Sequence, residues 1–298
     1  MDEQQPKTEM LRALRTSYDF MLKDFVASSS SFKVVHTVPT ASATQLSETK
    51  TLYVLDASFN PPTKAHSYIV KSAIKDDVGP QPKRILLLLA TLNADKEAKP
   101  AALQDRLVMM TLLAHKLRGE LQHCNAAMSP TVDIGIIKQP FFHNKATALE
   151  ESNFYPNQPE QVHLIGFDTL IRIFDPKYYP SERGLRVLAP FLGRHRLRTL
   201  LRVGDQWGSH EDQKQYVNDI ALGKKVSKGG EPEWAQRITL VEAEEKEIAA
   251  MSSTLARSAV EQNRDELGRY VDRGVEDWIT SEDLYSEGKT QGWKVVAG

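Results

Sequence analysis

The chain has 298 residues, 38 of them Lys or Arg and 39 Asp or Glu, for a net charge of −1. That length suffices for one large α/β domain or two small ones, with a buried core, and the near-zero charge gives no sign of an electrostatic nucleic-acid or membrane binder. Cys124 is the single cysteine, so no internal disulfide can form, and a reducing compartment is expected.

In chain order, Met10, Leu11, Leu14, Tyr18, Met21, Leu22 and Phe25 recur at three- and four-residue spacing and predict an amphipathic helix over 8–27. A short strand over Phe32–Val38 and a polar linker over 39–50 complete an N-terminal extension, residues 1–50. Residues 51–298 are expected to form the main domain. There, strands and helices alternate: strand Thr51–Leu55, helix Ser67–Lys75, strand Ile85–Ala90, helix Ala101–Leu117, strand Val132–Ile137, helix 146–152, strand Val162–Ile165 and helix Thr169–Phe174. Strands Thr199–Val203 and Ile238–Val241 follow, then helices near Leu255–Gln262, Val271–Trp278 and Asp283–Tyr285. Such alternation predicts a doubly wound parallel sheet of the α/β class, with ligands outside the carboxyl ends of its strands. The acidic N-terminus lacks an apolar signal region, and no apolar run is long enough to span a bilayer. A cytoplasmic or nuclear protein is expected.

The most informative stretch is Leu52–His66, an apolar strand breaking into a Ser/Asn/Pro turn that delivers Thr63 and His66 ahead of an apolar helix. A strand feeding a helix N-terminus supplies unpaired N–H groups and a positive dipole end for phosphate, and a His there can donate to a phosphate oxygen. Near the other end, Ser252, Ser253 and Thr254 stand before a helical run as N-cap residues, with Arg257 in the first turn. Ser58-Phe-Asn-Pro-x-Thr-x-x-His66 and Met251-Ser-Ser-Thr-Leu-Ala-Arg257 together resemble the two signatures of the nicotinamide mononucleotide (NMN) adenylyltransferase family, within the nucleotidyltransferase superfamily, in a form suggesting its divergent fungal-type branch.

That resemblance implies a Rossmann-like nucleotidyltransferase fold. The activity it implies is transfer of the AMP part of ATP to NMN, giving NAD and pyrophosphate. His66, Thr63 and Arg257 would serve the phosphates. Ser58, Phe59, Asn60, Gly166, Asp168, Ser252, Ser253 and Thr254 would bind ATP, with Asp168 on a ribose and Gly166 leaving room for the nucleotide. Lys96, Arg106 and Tyr179 would bind the mononucleotide, Tyr179 as the ring stacked on the pyridine. Ala57 replaces the family's usual Gly, and Gly135 stands near the position of a second family aromatic, for which Phe141 or Phe142 could substitute. Lys99 is a second phosphate candidate. Arg202 is either structural or near the triphosphate. Any metal would be Mg²⁺ held mainly by the triphosphate, with few protein ligands, none of them assigned. Two other readings use the same residues: a same-fold enzyme with another acceptor or hydrolysing ATP, and a nucleotide-binding regulatory protein that engages a partner through residues 1–50.

Overall fold

The computed structural model describes residues 8–40, 46–76, 83–91, 101–124, 130–202, 207–244 and 246–286. Helix α1 (Thr8–Ala27) leads into β1 (Phe32–Val38). The main repeat then runs β2 (Thr51–Asp56), α2 (Lys64–Asp76), β3 (Lys83–Ala90), α3 (Leu103–Cys124), β4 (Thr131–Ile137) and α4 (Phe142–Glu151). It continues with β5 (Glu160–Gly166), α5 (Phe167–Ile173), α6 (Ala189–Arg194), β6 (Arg196–Leu200), α7 (His210–Ala221) and β7 (Ile238–Val241), and ends with α8 (Ser253–Gln262) and α9 (Arg273–Ser281).

The strands form one sheet in the order β1-β4-β3-β2-β5-β6-β7. All neighbours are parallel except β1, which pairs antiparallel with β4, Phe32 opposite Ile137 and Val38 opposite Val132. The expectation of a Rossmann-like, doubly wound sheet therefore holds, with one antiparallel edge added by residues assigned to the extension. Helix α1 packs on α3, where Tyr18 Oη lies 2.7 Å from Thr111 Oγ1 and Arg15 clasps Asp105. Alternation along the central strands explains the layers. Tyr53, Leu55, Ile85, Leu87 and Leu89 face a core shared with α1, α2, α3, α8 and α9, while Leu52, Val54, Leu86 and Leu88 face the opposite core beside α4. Covered on both faces, β3 can be apolar throughout its centre.

One buried polar knot fastens the antiparallel edge. Asp133 on β4 is fully buried. It accepts from Arg84 on β3 (Nη2 to Oδ1, 2.9 Å), from Tyr155 Oη (2.8 Å) and from Thr37 Oγ1 on β1 (2.7 Å).

Several elements differ from the sequence expectation. Helix α7 was not anticipated: of its twelve residues only Gln213 and Ile220 are buried, so apolar periodicity is weak, and its start is set by a Ser209–Asp212 capping box. Asp283–Tyr285 is a turn, with φ +50° at Asp283 and +67° at Tyr285. Residues 199–203 were expected to form a strand, but β6 begins earlier and ends at Leu200. Among the described residues no helix is long and apolar enough to cross a membrane.

Candidate active site

The chain winds from β2 to β4 on one side of the sheet and from β5 to β7 on the other, so the order reverses between β2 and β5. At such a switch point the crossovers diverge and leave a crevice beyond the strand ends. A cavity of about 390 Å³ lies there, lined by the ends of β2 (Leu55–Ser58) and β5 (Leu164–Gly166).

His66 enters this cavity from the first turn of α2. The helix begins at Lys64, so Thr63 occupies the cap and His66 the third helical position. Thr63 N–H donates to His66 Nδ1 at 2.9 Å, and Thr63 Oγ1 lies 2.9 Å from the same atom. The imidazole thus supplies one half of a capping box, the third-position side chain that accepts from the cap residue's own N–H, a place usually taken by Glu. Because Nδ1 accepts a backbone N–H, the neutral ring carries its proton on Nε2. Burial, with the Arg202 guanidinium second, holds the ring's pKa down to about 4. The site therefore presents a neutral N–H donor at pH 7. Phe59 supports the ring from behind: fully buried at φ +44°, it brings its own ring within 5.4 Å of the imidazole.

Helix α8 points its N-terminus at the same cavity. Ser252 caps it, accepting from Leu255 N–H at 3.3 Å, and Ser252 and Ser253 both line the space. Ser253 Oγ donates to Pro61 O (2.8 Å), and Arg257 Nη1 donates to Asn60 O (2.8 Å). The two signature segments, almost two hundred residues apart, are thus stitched together by hydrogen bonds to the turn between β2 and α2.

Asp168 and Arg202 form the floor beside β5. Arg202 Nε donates to Asp168 Oδ1 (3.0 Å) and Nη1 to Met251 O (3.3 Å). The Arg202 backbone is gripped on both sides by buried Gln213 of α7, which accepts from its N–H (3.0 Å) and donates to its carbonyl (2.8 Å). Gly166 owes its lack of a side chain to this pair. A Cβ there would meet Asp168 Oδ1 at 2.5 Å and Arg202 Nε at 3.1 Å. Gly166 still lines the cavity, with this ion pair beside it. Gly166→Ala is expected to push Asp168 off Arg202 and to lower stability by about 1–3 kcal/mol. Thermal unfolding of the variant checks this, and an unchanged midpoint would contradict it.

The far side is aromatic. Tyr179 lines the cavity with its Oη donating to Ile173 O (2.7 Å), its ring 6.2 Å from that of Phe141. Phe141 and Phe142 both line the space. Gly135 has no room for an aromatic side chain: a Cβ would lie 2.7 Å from the Phe32 ring.

Of the expected site residues, Ser58, Thr63, His66, Gly166, Asp168, Tyr179, Ser252 and Ser253 line the cavity. Five do not. Phe59 and Asn60 are buried supports, and Asn60 Oδ1 accepts from Tyr285 Oη (2.9 Å). Thr254 is exposed and accepts from Arg257 Nη2 (3.2 Å). Arg257 itself is turned to the Asn60 carbonyl, and Arg106 is buried with Nε donating to Ala101 O (2.9 Å). Lys96 and Lys99 lie outside the described residues. The sequence reading missed Asp56, Lys145 and Arg172, which line the cavity, and left Arg202 undecided. The signal for Lys145 was a lone cation one turn into a helix whose start was set too late, at 146 instead of Phe142.

Three buried histidines give the fold an acid limit. Burial drives His66 and His195 to about 4 and His163 well below its ordinary value. Unfolded, each regains a pKa near 6.5. Depressed folded values mean that stability is fully present above about 6.5 and drains away as pH falls toward 4, where the unfolded chain binds the extra protons. Thermal unfolding from pH 8 to 4 should show a plateau and then a fall; a level profile down to pH 4.5 would contradict it.

No protein-family profile matches the sequence. A Schizosaccharomyces pombe protein provisionally named nicotinamide mononucleotide adenylyltransferase is 35% identical over 222 residues, 74% of this chain and 80% of that one. Two solved structures are similar at a distance: Plasmodium falciparum nicotinic acid mononucleotide adenylyltransferase complexed with NaAD (TM-score 0.49, 15% identity, 79% of this chain and 97% of the other) and a Vibrio parahaemolyticus protein provisionally described as a nicotinate-nucleotide adenylyltransferase (TM-score 0.35, 14% identity, 80% and 98%). At these scores neither adds to what the sequence relative shows. On that relative, the chain belongs to the nicotinamide mononucleotide adenylyltransferase family and is an enzyme of the nucleotidyltransferase class.

Proposed function

We propose that this protein transfers the adenylyl group of ATP to nicotinamide mononucleotide, forming NAD and pyrophosphate. The observation that carries the reading is one cavity with two chemically distinct sides: a neutral His and two capped helix N-termini on one, a ring pair on the other.

The 5′-phosphate oxygen of the mononucleotide attacks the α-phosphorus of ATP in line. The bond from that phosphorus to the bridging oxygen on the β-phosphate side breaks, and pyrophosphate leaves with the electron pair. No protein nucleophile and no proton transfer are needed, so the protein's contribution is alignment and charge stabilisation. His66 Nε2–H donates to a non-bridging α-phosphate oxygen as charge develops there. Ser252, Ser253 and the N–H groups opening α8 receive the outer phosphates. Asp168 keeps Oδ2 free of Arg202 and accepts from a ribose hydroxyl. Tyr179 and Phe141 hold the pyridine ring by stacking. Arg257, bonded to Asn60 O, is a positioning residue for the turn that carries Thr63.

Magnesium, which neutralises triphosphate charge, would enter with ATP. The two carboxylates lining the cavity are each in an ion pair, Asp56 with Lys145 and Asp168 with Arg202, and no cluster of three or more His, Cys, Asp or Glu side chains suited to a metal occurs among the described residues. That donor set fits an ion held by substrate oxygens and not by a protein cage. Pyrophosphate release measured with ATP and Mg²⁺, with and without the mononucleotide, tests the reading. Release that depends on the mononucleotide is expected. Phosphate release regardless of it would indicate a hydrolase, and ATP binding without turnover a regulatory protein.

A further inference from the structure

A buried ion pair in the cavity wall is given no role by the phosphate chemistry above. Lys145, in the first turn of α4, donates to Asp56 Oδ2 at the end of β2, and their side chains are 6% and 7% exposed. An ammonium carries three N–H donors and a carboxylate two acceptor oxygens. Here one donor and one oxygen are used; among the described residues neither Asp56 Oδ1 nor the other Lys145 N–H groups make a further hydrogen bond. Burying two charges with capacity unspent is no stability device, since an apolar pair of similar volume would serve the fold as well. Both residues line the cavity, so the unspent capacity is available to a ligand there.

Its position is on the aromatic side. Lys145 N–H bonds to Phe141 O (2.9 Å), one helical turn away, and Lys145 Nζ stands 5.2 Å from the Phe142 ring centroid. Phe141 in turn faces Tyr179 across 6.2 Å. We propose that Asp56 and Lys145 read the substituent on the acceptor's pyridine ring, which makes them the specificity-determining pair. This rests on the acceptor assignment above. A carboxamide offers one carbonyl acceptor and an N–H₂ donor; Lys145 donates to the first and Asp56 Oδ1 accepts from the second. A carboxylate offers only acceptors, and its second oxygen meets the Asp56 carboxylate with like charge. The enzyme therefore discriminates for the amide mononucleotide and against nicotinic acid mononucleotide.

The test is the ratio of kcat/KM for the two mononucleotides, measured on one preparation so that the folded fraction cancels. Wild type should favour the amide by at least about tenfold, the scale set by a hydrogen-bonding pocket against a mismatched partner. Asp56→Asn, whose amide can donate to a carboxylate, should bring the ratio to within about threefold of unity. Should that variant not fold, because it leaves Lys145 buried without a counter-charge, the Asp56→Asn/Lys145→Gln pair removes both charges together and should also lose the amide preference. A ratio unchanged in the variants, or a wild type preferring the acid, overturns the inference alone. Turnover of neither mononucleotide by wild type overturns the acceptor assignment and this inference with it.

Discussion

His66→Ala is expected to lower kcat by about 10²–10³, the cost of removing one preorganised donor from a developing oxyanion. The magnitude follows from how the imidazole is held. Thr63 N–H fixes Nδ1 as an acceptor, Phe59 backs the ring, and a pKa near 4 keeps the donor neutral and its tautomer constant across the working range. The KM for ATP should move far less than kcat, because the contact strengthens only as the transition state forms. The same substitution leaves the Thr63 N–H without its partner, so a stability loss of about 1–2 kcal/mol accompanies it. Steady-state kinetics on protein confirmed folded by circular dichroism separates the two effects. A kcat within threefold of wild type would show that His66 does not touch the reacting phosphate.

The second large effect lies away from the chemistry. Asp133→Ala should cost about 3–5 kcal/mol, the penalty for leaving a buried charge uncompensated. Asp133 is fully buried and takes hydrogen bonds from Arg84, Tyr155 and Thr37, which belong to three different segments. Its removal strands the guanidinium of buried Arg84 and unfastens β1 from β4. Replacing both charges, Arg84→Met with Asp133→Leu, should recover most of the loss. Denaturant unfolding reads both. Asp133 does not line the cavity, so kcat of the folded single variant should stay near wild type. A loss under 1 kcal/mol would mean that the edge strand is held by its backbone ladder alone.

Much of this architecture was legible in the sequence because periodicity reports burial. Phe32–Val38 and Ile238–Val241 appear as strands at the expected bounds, and the alternation from Thr51 onward gives the parallel sheet. What periodicity could not give was the start of a helix whose first turn faces a cavity. The apolar run placed α2 from Ser67, but the helix opens at Lys64, because Thr63 and His66 cap it and an imidazole is not read as a capping partner. The same displacement hid Lys145 in the first turn of α4. Contacts between distant segments were beyond sequence reach for a different reason. That Arg257 would spend its guanidinium on the Asn60 carbonyl, and Gln213 its amide on the Arg202 backbone, depends on how the loops meet after the sheet has formed. Helix α7, polar on most of its surface, left almost no apolar pattern to find.

The most direct test of NAD synthesis uses ATP labelled at the α-phosphorus, incubated with the protein, Mg²⁺ and nicotinamide mononucleotide. The label should appear in NAD, one equivalent for each pyrophosphate released, and His66→Ala should suppress both together. Label recovered in AMP or ADP, with no dinucleotide formed, would contradict that expectation.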